Sequence, residues 1–448
     1  MIVSERSEHL KKSFNGIMQK IRHLISEGIL WIFGGSIASQ VFGFISSVVV
    51  IRNLPKSAYG VYVDANNIYS YFAIFIGLGL TTAVMQFGSE DVALERKAAI
   101  YQYSFKAGMI SNAVFLIIIF GFGYIYKPSG AGRYLRMMCG IPAVVYADNF
   151  FQTALIVKKK NREFGLVYIT YAITICLGNI MFTLLWGVTG LVVSTYFSQA
   201  VSALVGFLLL KKSCGIQELY AIAPKLPGND RKEIANYCIL CTITNFVSTA
   251  LVLLDITCLN YVLSDSNVLA DYKVASTIPS AMLFVPTSLI TYYYPILVEK
   301  HSRDLYEFSS QLKECIIIFS TSSVTLFVLL FLFAGPIIRC VYGAKYLNAI
   351  PIFRILTINF LVNASIRKLF GNVIAVIKRV KINLLFAAIS GVLNVALDVV
   401  LIKHMGSEGA AIATVIVTSF ISILEVIYID IYIRKRYAGQ VCMNTGKK

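Results

Sequence analysis

Long apolar stretches recur along almost the whole chain, and short polar segments separate them. Most of these stretches are about 20 residues or longer, which is the length that an α-helix needs to cross a bilayer. Strands of a membrane barrel would instead alternate apolar and polar positions in segments of about ten residues. The pattern predicts twelve membrane-spanning helices, at residues 28–51, 66–88, 99–125, 136–157, 164–187, 188–210, 234–262, 269–297, 314–338, 348–377, 382–403 and 408–433.

Basic residues concentrate in every second loop between these spans. With the N-terminus in the cytoplasm, most of the 40 Lys and Arg residues fall in cytoplasmic segments. Clear examples are Lys158–Lys160, Lys211–Lys212 and Lys378–Lys381. Because this bias follows the positive-inside rule, the sequence predicts that both termini are cytoplasmic.

The chain divides into five segments. Residues 1–27 are polar and basic with apolar positions at helical spacing, which predicts an amphipathic helix on the membrane surface. Residues 28–215 hold spans one to six and residues 234–433 hold spans seven to twelve. A Pro-containing cytoplasmic linker, residues 216–233, joins these two lobes. Residues 434–448 form a cytoplasmic tail.

The two lobes resemble each other in sequence. At a shift of 219 residues, GVTGLVVST (187–195) falls on GSEGAAIAT (406–414), and QTALIVKKKNR (152–162) falls on GNVIAVIKRVK (371–381). Many transporters consist of two such repeats with the substrate path between them. The expected fold is therefore an all-α integral membrane protein of two pseudo-symmetric six-helix lobes.

Composition and charge narrow the class of protein. The chain is 57% hydrophobic with a mean hydropathy of +0.72, which exceeds what a soluble protein can bury. A net charge of +17 would suggest nucleic acid in a soluble protein. Here the basic residues lie in loops, so anionic membrane lipids are the expected partners and nucleic acid is not. No metal-binding cluster, catalytic constellation or nucleotide-binding motif is visible, which argues against an enzyme and against a bound cofactor.

The first span and its exit, GGSIASQVFGFISSVVVIRNLPKSAYGVYV (34–63), resemble the opening of Wzx-type polysaccharide biosynthesis flippases. That family belongs to the multidrug/oligosaccharidyl-lipid/polysaccharide (MOP) exporter superfamily. The matching positions are Arg52, Leu54, Tyr59, Gly60 and Tyr62. The segment LNVALDVVLIKHMGSEGAAIAT (393–414) resembles the junction of the family's eleventh and twelfth spans.

The resemblance implies a function and a location. Proteins of this family are thought to move undecaprenyl-diphosphate-linked oligosaccharides to the outer leaflet of the cytoplasmic (inner) membrane. Their two lobes form a V that opens to one side at a time. The implied partners are the lipid-linked oligosaccharide, a polysaccharide polymerase and other assembly proteins, and the implied coupling ion is H⁺ or Na⁺.

Charged residues inside the spans are the candidate site residues, because each is costly in lipid unless it faces a wet cavity or a partner. Arg367, Lys368, Asp148, Asp255 and Lys106 are the candidates for contact with the substrate. At the 219-residue shift Arg367 falls on Asp148, so we predict that Asp148 either pairs with Arg367 or competes with substrate phosphate for it. The alternatives are a purely structural ion pair, or basic side chains that snorkel to the cytoplasmic surface.

Three acidic residues are candidates for binding the coupling ion. Asp255 lies in span seven, where the family often has an Asp, and Asp398 and Glu425 lie within spans eleven and twelve. Each carboxylate has a competing structural interpretation as the partner of a neighbouring helix.

Three rival functions remain at this stage. A cation-coupled multidrug exporter of the same superfamily would typically have an Asp in its first helix, but residues 28–51 contain no acidic residue. A membrane glycan polymerase or ligase would typically have a large external loop, but the external loops here are all short. A structural scaffold would need neither the internal repeat nor the buried charges.

Overall fold

The computed structural model describes residues 29–89, 93–126, 130–214 and 226–445. These residues form helices joined by short turns, and no β-strand occurs among them. The predicted amphipathic helix at 1–27 and most of the predicted linker before Leu226 lie outside the described residues.

Sixteen α-helices follow one another along the described chain. Those before the linker are α1 (Ile29–Asn53), α2 (Lys56–Ala73), α3 (Leu80–Gly88), α4 (Leu94–Ile125), α5 (Gly132–Met138), α6 (Ile141–Val157), α7 (Asn161–Trp186) and α8 (Val188–Cys214). Those after it are α9 (Gly228–Leu263), α10 (Ser266–Met282), α11 (Phe284–Arg303), α12 (Leu305–Leu332), α13 (Ala334–Tyr342), α14 (Ala349–Val362), α15 (Lys368–Val376) and α16 (Val380–Thr445). Short 3₁₀ turns at Ile76–Gly79 and Ala344–Tyr346 and a π-helical turn at Asn363–Arg367 complete the order.

Helices overlap with all twelve predicted spans. Among the described residues, eight helical segments are long and apolar enough to cross a membrane, and a ninth is formed by α5 and α6, which meet at 40°. One of the eight, Lys381–Arg436, contains two predicted spans. The helices α1 and α9 cover the first and seventh predicted spans. The predicted all-α membrane fold is confirmed.

Some predicted boundaries need correction. The second span was expected to begin at residue 66, but its helix begins at Lys56 and is interrupted at Ile76–Gly79. The fourth span was expected as one helix over 136–157, and it is divided between α5 and α6. The linker was expected to extend to residue 233, but α9 already begins at Gly228.

The backbone repeats at the same interval as the sequence. Gly187 has φ 58° and ψ −133°, and Gly406 has φ 60° and ψ −138°. Both glycines turn the chain between consecutive spans, and only glycine adopts this conformation readily. Lys159 and Lys378, also 219 residues apart, share a left-handed φ of 57° and 61°. These matched turns support the internal repeat.

Packing divides the chain into two compact units. The first unit contains the described residues up to Leu54, Phe72–Tyr126 and Gly132–Asn245, and the second contains Pro55–Tyr71 and the chain from Phe246 onward. The segment Pro55–Tyr71 thus packs with the second unit, although the sequence repeat places it in the first lobe. The predicted lobes describe a repeat along the chain, whereas these units describe contacts.

Polar contacts along one side of α2 hold it within the second unit. Lys56 Nζ donates to Asp271 Oδ2 at 2.7 Å, and Asn67 Nδ2 donates to Thr257 Oγ1 at 2.9 Å. At Gly60, a Cβ atom would lie 1.7 Å from the carbonyl oxygen of Ser266. This close approach gives the glycine of the Tyr-Gly-x-Tyr motif a packing role.

Each unit has its own apolar core. In the first unit, the ring of Tyr146 is fully buried, and its hydroxyl donates to the carbonyl oxygen of Ser104 at 2.6 Å. In the second unit, Phe308, Phe319 and Leu369 are fully buried in one cluster. Because lipid is itself apolar, close fit and internal hydrogen bonds rather than exclusion of water hold such cores together.

Candidate functional site

Two carboxylates from different helices meet in the second unit, between α9 and α16, and of these Asp398 is buried and Asp255 half-buried. Asp255 Oδ2 accepts hydrogen bonds from the hydroxyls of Tyr272 at 2.5 Å and Thr414 at 2.8 Å. The side-chain amide of Asn394 lies between Asp255 and Asp398, and its nitrogen, when turned toward them, donates to Asp255 Oδ1 at 3.2 Å and Asp398 Oδ2 at 3.3 Å. We call Asp255, Tyr272, Asn394, Asp398 and Thr414 the carboxylate site.

The carboxylate site has no basic partner among the described residues. The groups that face its two carboxylates are two hydroxyls, one amide and the thiol of Cys258, and none of them is a cation. Asp398 is fully buried, and its Oδ1 atom has no hydrogen-bond partner. Two carboxylates that share one amide repel each other when both are ionised, and the burial of Asp398 adds the cost of removing its charge from water. A proton or a bound cation would relieve this repulsion.

The donor set fits a small hard cation. Two carboxylates, one amide oxygen and one hydroxyl oxygen are the ligand types that hard cations prefer. The amide of Asn394 can present either its nitrogen to two bare carboxylates or its oxygen to a cation between them. No group of three or more His, Cys, Asp or Glu side chains placed to hold a metal occurs in the described part of the chain. The arrangement thus suits Na⁺ or H⁺ better than a transition metal.

Arg367 occupies a distorted turn in the middle of a span. The helix of this span, Ala349–Val376, changes to a π-helical turn at Asn363–Arg367 and then resumes. Single π-turns inside α-helices occur frequently at functional sites. The guanidinium of Arg367 is half-buried, and Glu425 of α16 is the acidic residue with which it interacts electrostatically.

Glu425 lies close to Arg367 without neutralising it through a direct contact. Among the described residues the two do not form a salt bridge, and Glu425 Oε2 has no hydrogen-bond partner. The carboxylate is nevertheless buried, with 5% of the residue exposed. Arg367 thus remains able to form bonds with an anionic ligand. Glu425, predicted as a coupling-ion candidate, lies near Arg367 and is not one of the residues of the carboxylate site.

Asp148 lies in the first unit and is fully satisfied there. Its Oδ1 accepts from Ser202 Oγ at 2.7 Å, and its Oδ2 accepts from Gln152 Nε2 at 2.8 Å. These bonds give Asp148 local partners on α6 and α8. The exchange of Asp148 with Arg367 that the repeat suggests stays a prediction.

The two remaining candidates are lysines. Lys106, on α4, is exposed, and Lys368, beside the π-turn, is half-buried. Adjacent residues on a helix point about 100° apart, so Arg367 and Lys368 do not present their charges in one direction.

Sequence reasoning missed three members of the carboxylate site. The candidates named from the sequence include Asp255 and Asp398 but not Asn394, Tyr272 or Thr414. One signal was available, since Asn394 and Asp398 are four residues apart and therefore share a helix face. The contributions of Tyr272 and Thr414 depend on helices that only the fold brings together.

Solved structures of known transporters have the same fold as this chain. A solved multidrug resistance MATE family transporter of the MOP superfamily, in an inward-facing conformation, superposes with a TM-score of 0.76 at 14% identity, over 89% of this chain and 95% of that chain. The lipid II flippase MurJ, in an inward closed conformation, superposes with a TM-score of 0.69 at 15% identity, over 89% of this chain and 87% of that chain. At such low identity these similarities establish the fold alone.

Sequence comparison identifies the family. An uncharacterized membrane protein of Methanocaldococcus jannaschii is 23% identical over 420 residues, which are 87% of this chain and 80% of that protein. The family model described as polysaccharide biosynthesis protein matches residues 25–301, which is more than half of the chain. The resemblance found in residues 34–63 is thereby confirmed. This multi-pass membrane protein belongs to the polysaccharide biosynthesis protein family, and it has the fold of MOP superfamily transporters.

Proposed function

We propose that this protein is a flippase for undecaprenyl-diphosphate-linked oligosaccharide repeat units. It carries them from the cytoplasmic to the outer leaflet of the cytoplasmic membrane for synthesis of a cell-surface polysaccharide, such as capsule, O-antigen or exopolysaccharide. The family match over residues 25–301 is the observation that carries this proposal. A lipid II flippase among the proteins of the same fold supports a lipid-linked sugar as the class of substrate.

In the proposed cycle, the two charged sites have separate roles. Arg367 binds the diphosphate of the substrate by charge-assisted hydrogen bonds. When the substrate leaves, the guanidinium pairs with the carboxylate of Glu425. The carboxylate site binds H⁺ or Na⁺ and ties the cycle to the gradient of that ion. Alternating access moves the head group, no covalent bond changes, and both termini remain in the cytoplasm.

A cation-coupled multidrug exporter is the second candidate function. The solved MATE transporter has the same fold as this chain, as the lipid II flippase MurJ does. The carboxylate site could bind a coupling ion in an exporter or in a flippase. Two observations favour the flippase. The helix α1 contains no acidic residue, and the charge at the π-turn of Arg367 is positive, which suits an anionic substrate better than a cationic drug.

The test measures lipid-linked saccharide in each leaflet of cells depleted of this protein. We expect it to accumulate in the cytoplasmic leaflet, and wild-type protein to reverse the accumulation. Arg367→Ala should lower the flipping rate by about tenfold to a hundredfold, because a hydrogen bond to a charged group contributes about 1.5–3 kcal/mol.

Arg354→Ala is the matched control, since Arg354 lies in the same span, is exposed and stacks on Phe331. It should flip at the wild-type rate. Unchanged leaflet distribution on depletion, together with altered drug sensitivity, would refute the flippase and favour the exporter. Full activity of Arg367→Ala in a working flippase would remove Arg367 from the substrate path.

A further inference from the structure

The second predicted span is broken within the first unit. Gly77, Leu78 and Gly79 all have positive φ, at 62°, 47° and 76°, between the end of α2 and the start of α3. A Cβ at Gly79 would lie 2.9 Å from the carbonyl oxygen of Cys238, so the broken segment is pressed against α9. Non-helical backbone at membrane depth is tolerated where it is buried in protein or lines a cavity.

An apolar cavity of about 390 Å³ adjoins this break. This volume is within the range of about 300–1,000 Å³ that is usual for small-molecule sites. The cavity is lined from the broken segment, from α4 and from the first half of α9, mainly by Leu78, Tyr103, Ala107, Ala235, Ile239 and Ile243. Three of these, Leu78, Ile239 and Ile243, are exposed, so the cavity is open on one side.

One cation, Arg231, stands at the edge of this cavity, and a second, Lys106, is the sequence neighbour of a lining residue. The guanidinium of Arg231 lies over the ring of Tyr103, 5.9 Å from its centroid, and Arg231 is one helical turn before Ala235. Lys106 precedes the lining residue Ala107 and is exposed. An ionisable residue within a span is costly and usually serves a function. An apolar chamber with a cation at its edge matches an amphiphile that has an apolar chain and an anionic head.

The predicted topology places this cavity in the cytoplasmic half of the membrane. The chain enters α4 and α9 from the cytoplasm, at Leu94 and Gly228, and the lining residues follow within about the first three to four turns. Under the proposed function, the substrate is loaded from that leaflet.

We propose that this cavity binds the part of a polyprenyl-diphosphate lipid next to its head group. The first isoprene units occupy the space between the broken segment and α9, and Arg231 binds the diphosphate. This proposal rests on the proposed function, and it identifies an entry site distinct from Arg367.

The test uses the full-length protein, purified in detergent, and a diazirine-bearing geranylgeranyl diphosphate as the probe. Cross-linked peptides located by mass spectrometry should come from α4 and α9. Ala107→Trp fills the cavity, and Arg231→Gln removes the head-group contact. Each should weaken binding by about tenfold, the loss expected when a close fit or a charge-assisted bond is removed.

Matched controls lie on the same helices. Ala113→Trp places the same bulk on an exposed part of α4, and Lys232→Gln removes the exposed cation next to Arg231. Both should bind the probe as the wild type does. Size-exclusion profiles of all variants identify any that fail to fold. If Ala107→Trp fails to fold, Arg231→Gln still tests the proposal, because Arg231 is at an exposed position.

Three outcomes would overturn the proposal. They are cross-links in other helices, equal binding by Ala107→Trp and wild type, and equally strong competition by phosphatidylglycerol, which would make the cavity a general lipid site. The proposed function fails independently of this result. Labelling of α4 and α9 without any leaflet defect in depleted cells would keep the site and refute the flippase.

Discussion

At the scale of single residues, this protein has charged side chains inside its spans, where most membrane proteins avoid them. Asp255 and Asp398 share the amide of Asn394, whereas Arg367 and Glu425 form a second, looser pair. Both arrangements leave a polar atom without a partner, at Asp398 Oδ1 and Glu425 Oε2. Because an unpaired polar atom in a membrane protein is costly, each indicates a place for a ligand, a proton or a water.

Asp398→Asn should remove the ion dependence of transport. The substitution keeps the size of the side chain but removes one of the two carboxylates that bind the cation in the proposed cycle. Cation affinity should fall by about tenfold to a hundredfold, since each interaction with a charged group contributes about 1.5–3 kcal/mol. The measurement is the flipping rate in proteoliposomes as the Na⁺ concentration and the pH are varied separately.

Asp430→Asn serves as its control, because Asp430 is an exposed carboxylate on the same helix and pairs with Arg434 at 2.8 Å. It should keep both the rate and the ion dependence. A wild-type ion response of Asp398→Asn would remove the carboxylate site from the coupling mechanism.

At the scale of helices, turns and helix contacts determine where the charged side chains lie. Gly187 and Gly406 have nearly the same backbone conformation and occur at equivalent junctions, so a shared turn recurs in both halves of the chain. The π-turn at Asn363–Arg367 has no such counterpart, since the equivalent segment of α6 is regular helix. Arg367 is thus presented by a distortion that belongs to one repeat alone.

Gly406→Ala should destabilise the protein through the backbone. No heavy atom lies within 4 Å of a Cβ built at Gly406, so the cost arises from its φ of 60° and ψ of −138°. Strain of this kind costs about 1–3 kcal/mol. Thermal unfolding in detergent should show a lower midpoint than for Gly335→Ala, a glycine that also has open space around it but no positive φ. Equal midpoints would contradict this account of the turn.

The contact between α11 and α16 should weaken in acid. Arg436 Nη1 donates to His301 Nε2 at 2.6 Å, and Tyr432 Oη lies 2.9 Å from the same nitrogen, so the ring accepts and is neutral. Burial, then the charges of Arg436 and Lys378, lower the pKa of His301 from its usual 6.5. The folded state therefore binds fewer protons than the unfolded state, and the contact loses stability as the pH falls below about 6.5.

Hydrogen exchange measures this effect. Amides near His301 and Tyr432 should exchange faster at about pH 5.5 than the intrinsic rate change explains, and His301→Gln, which cannot titrate, should remove the difference. His404→Gln, at an exposed histidine of α16, should leave it in place. The same pH response in His301→Gln would show that another group titrates.

At the scale of the whole molecule, the two repeats have diverged in charge while keeping their turns. The position equivalent to Asp398 is Asn179, which donates to Ser46 Oγ at 3.4 Å in the first unit. This contact is neutral, whereas the carboxylate site of the second unit carries two acids. We therefore expect one coupling site per chain, within the second unit.

Asn179→Ala tests this asymmetry. It should change the flipping rate by less than about twofold. A hydrogen bond between neutral groups contributes about 0.5–1.5 kcal/mol to folding, and this one contributes nothing to ion binding. The ion dependence, measured as for Asp398→Asn, should be that of the wild type. A lost ion response in Asn179→Ala would place a second coupling site in the first unit.

The class, the family and the internal repeat of this protein can all be inferred from the order of its residues. Apolar stretches of spanning length leave helices as the solution, because a helix satisfies its own backbone hydrogen bonds in lipid. The 219-residue shift predicted matched junctions, and Gly187 and Gly406 provide them. The motif around Gly60 indicated the family that the match over residues 25–301 then established.

The grouping of the charged residues, in contrast, depends on how the helices pack. Asp255 and Asp398 are far apart in the chain, and their shared contact with Asn394 depends on how α9 packs against α16. The π-turn at Arg367 and the break at Gly77–Gly79 are departures from a regular helix within apolar stretches. Hydropathy reports only that a segment can cross the membrane, whereas such departures depend on the side chains that neighbouring helices press against it.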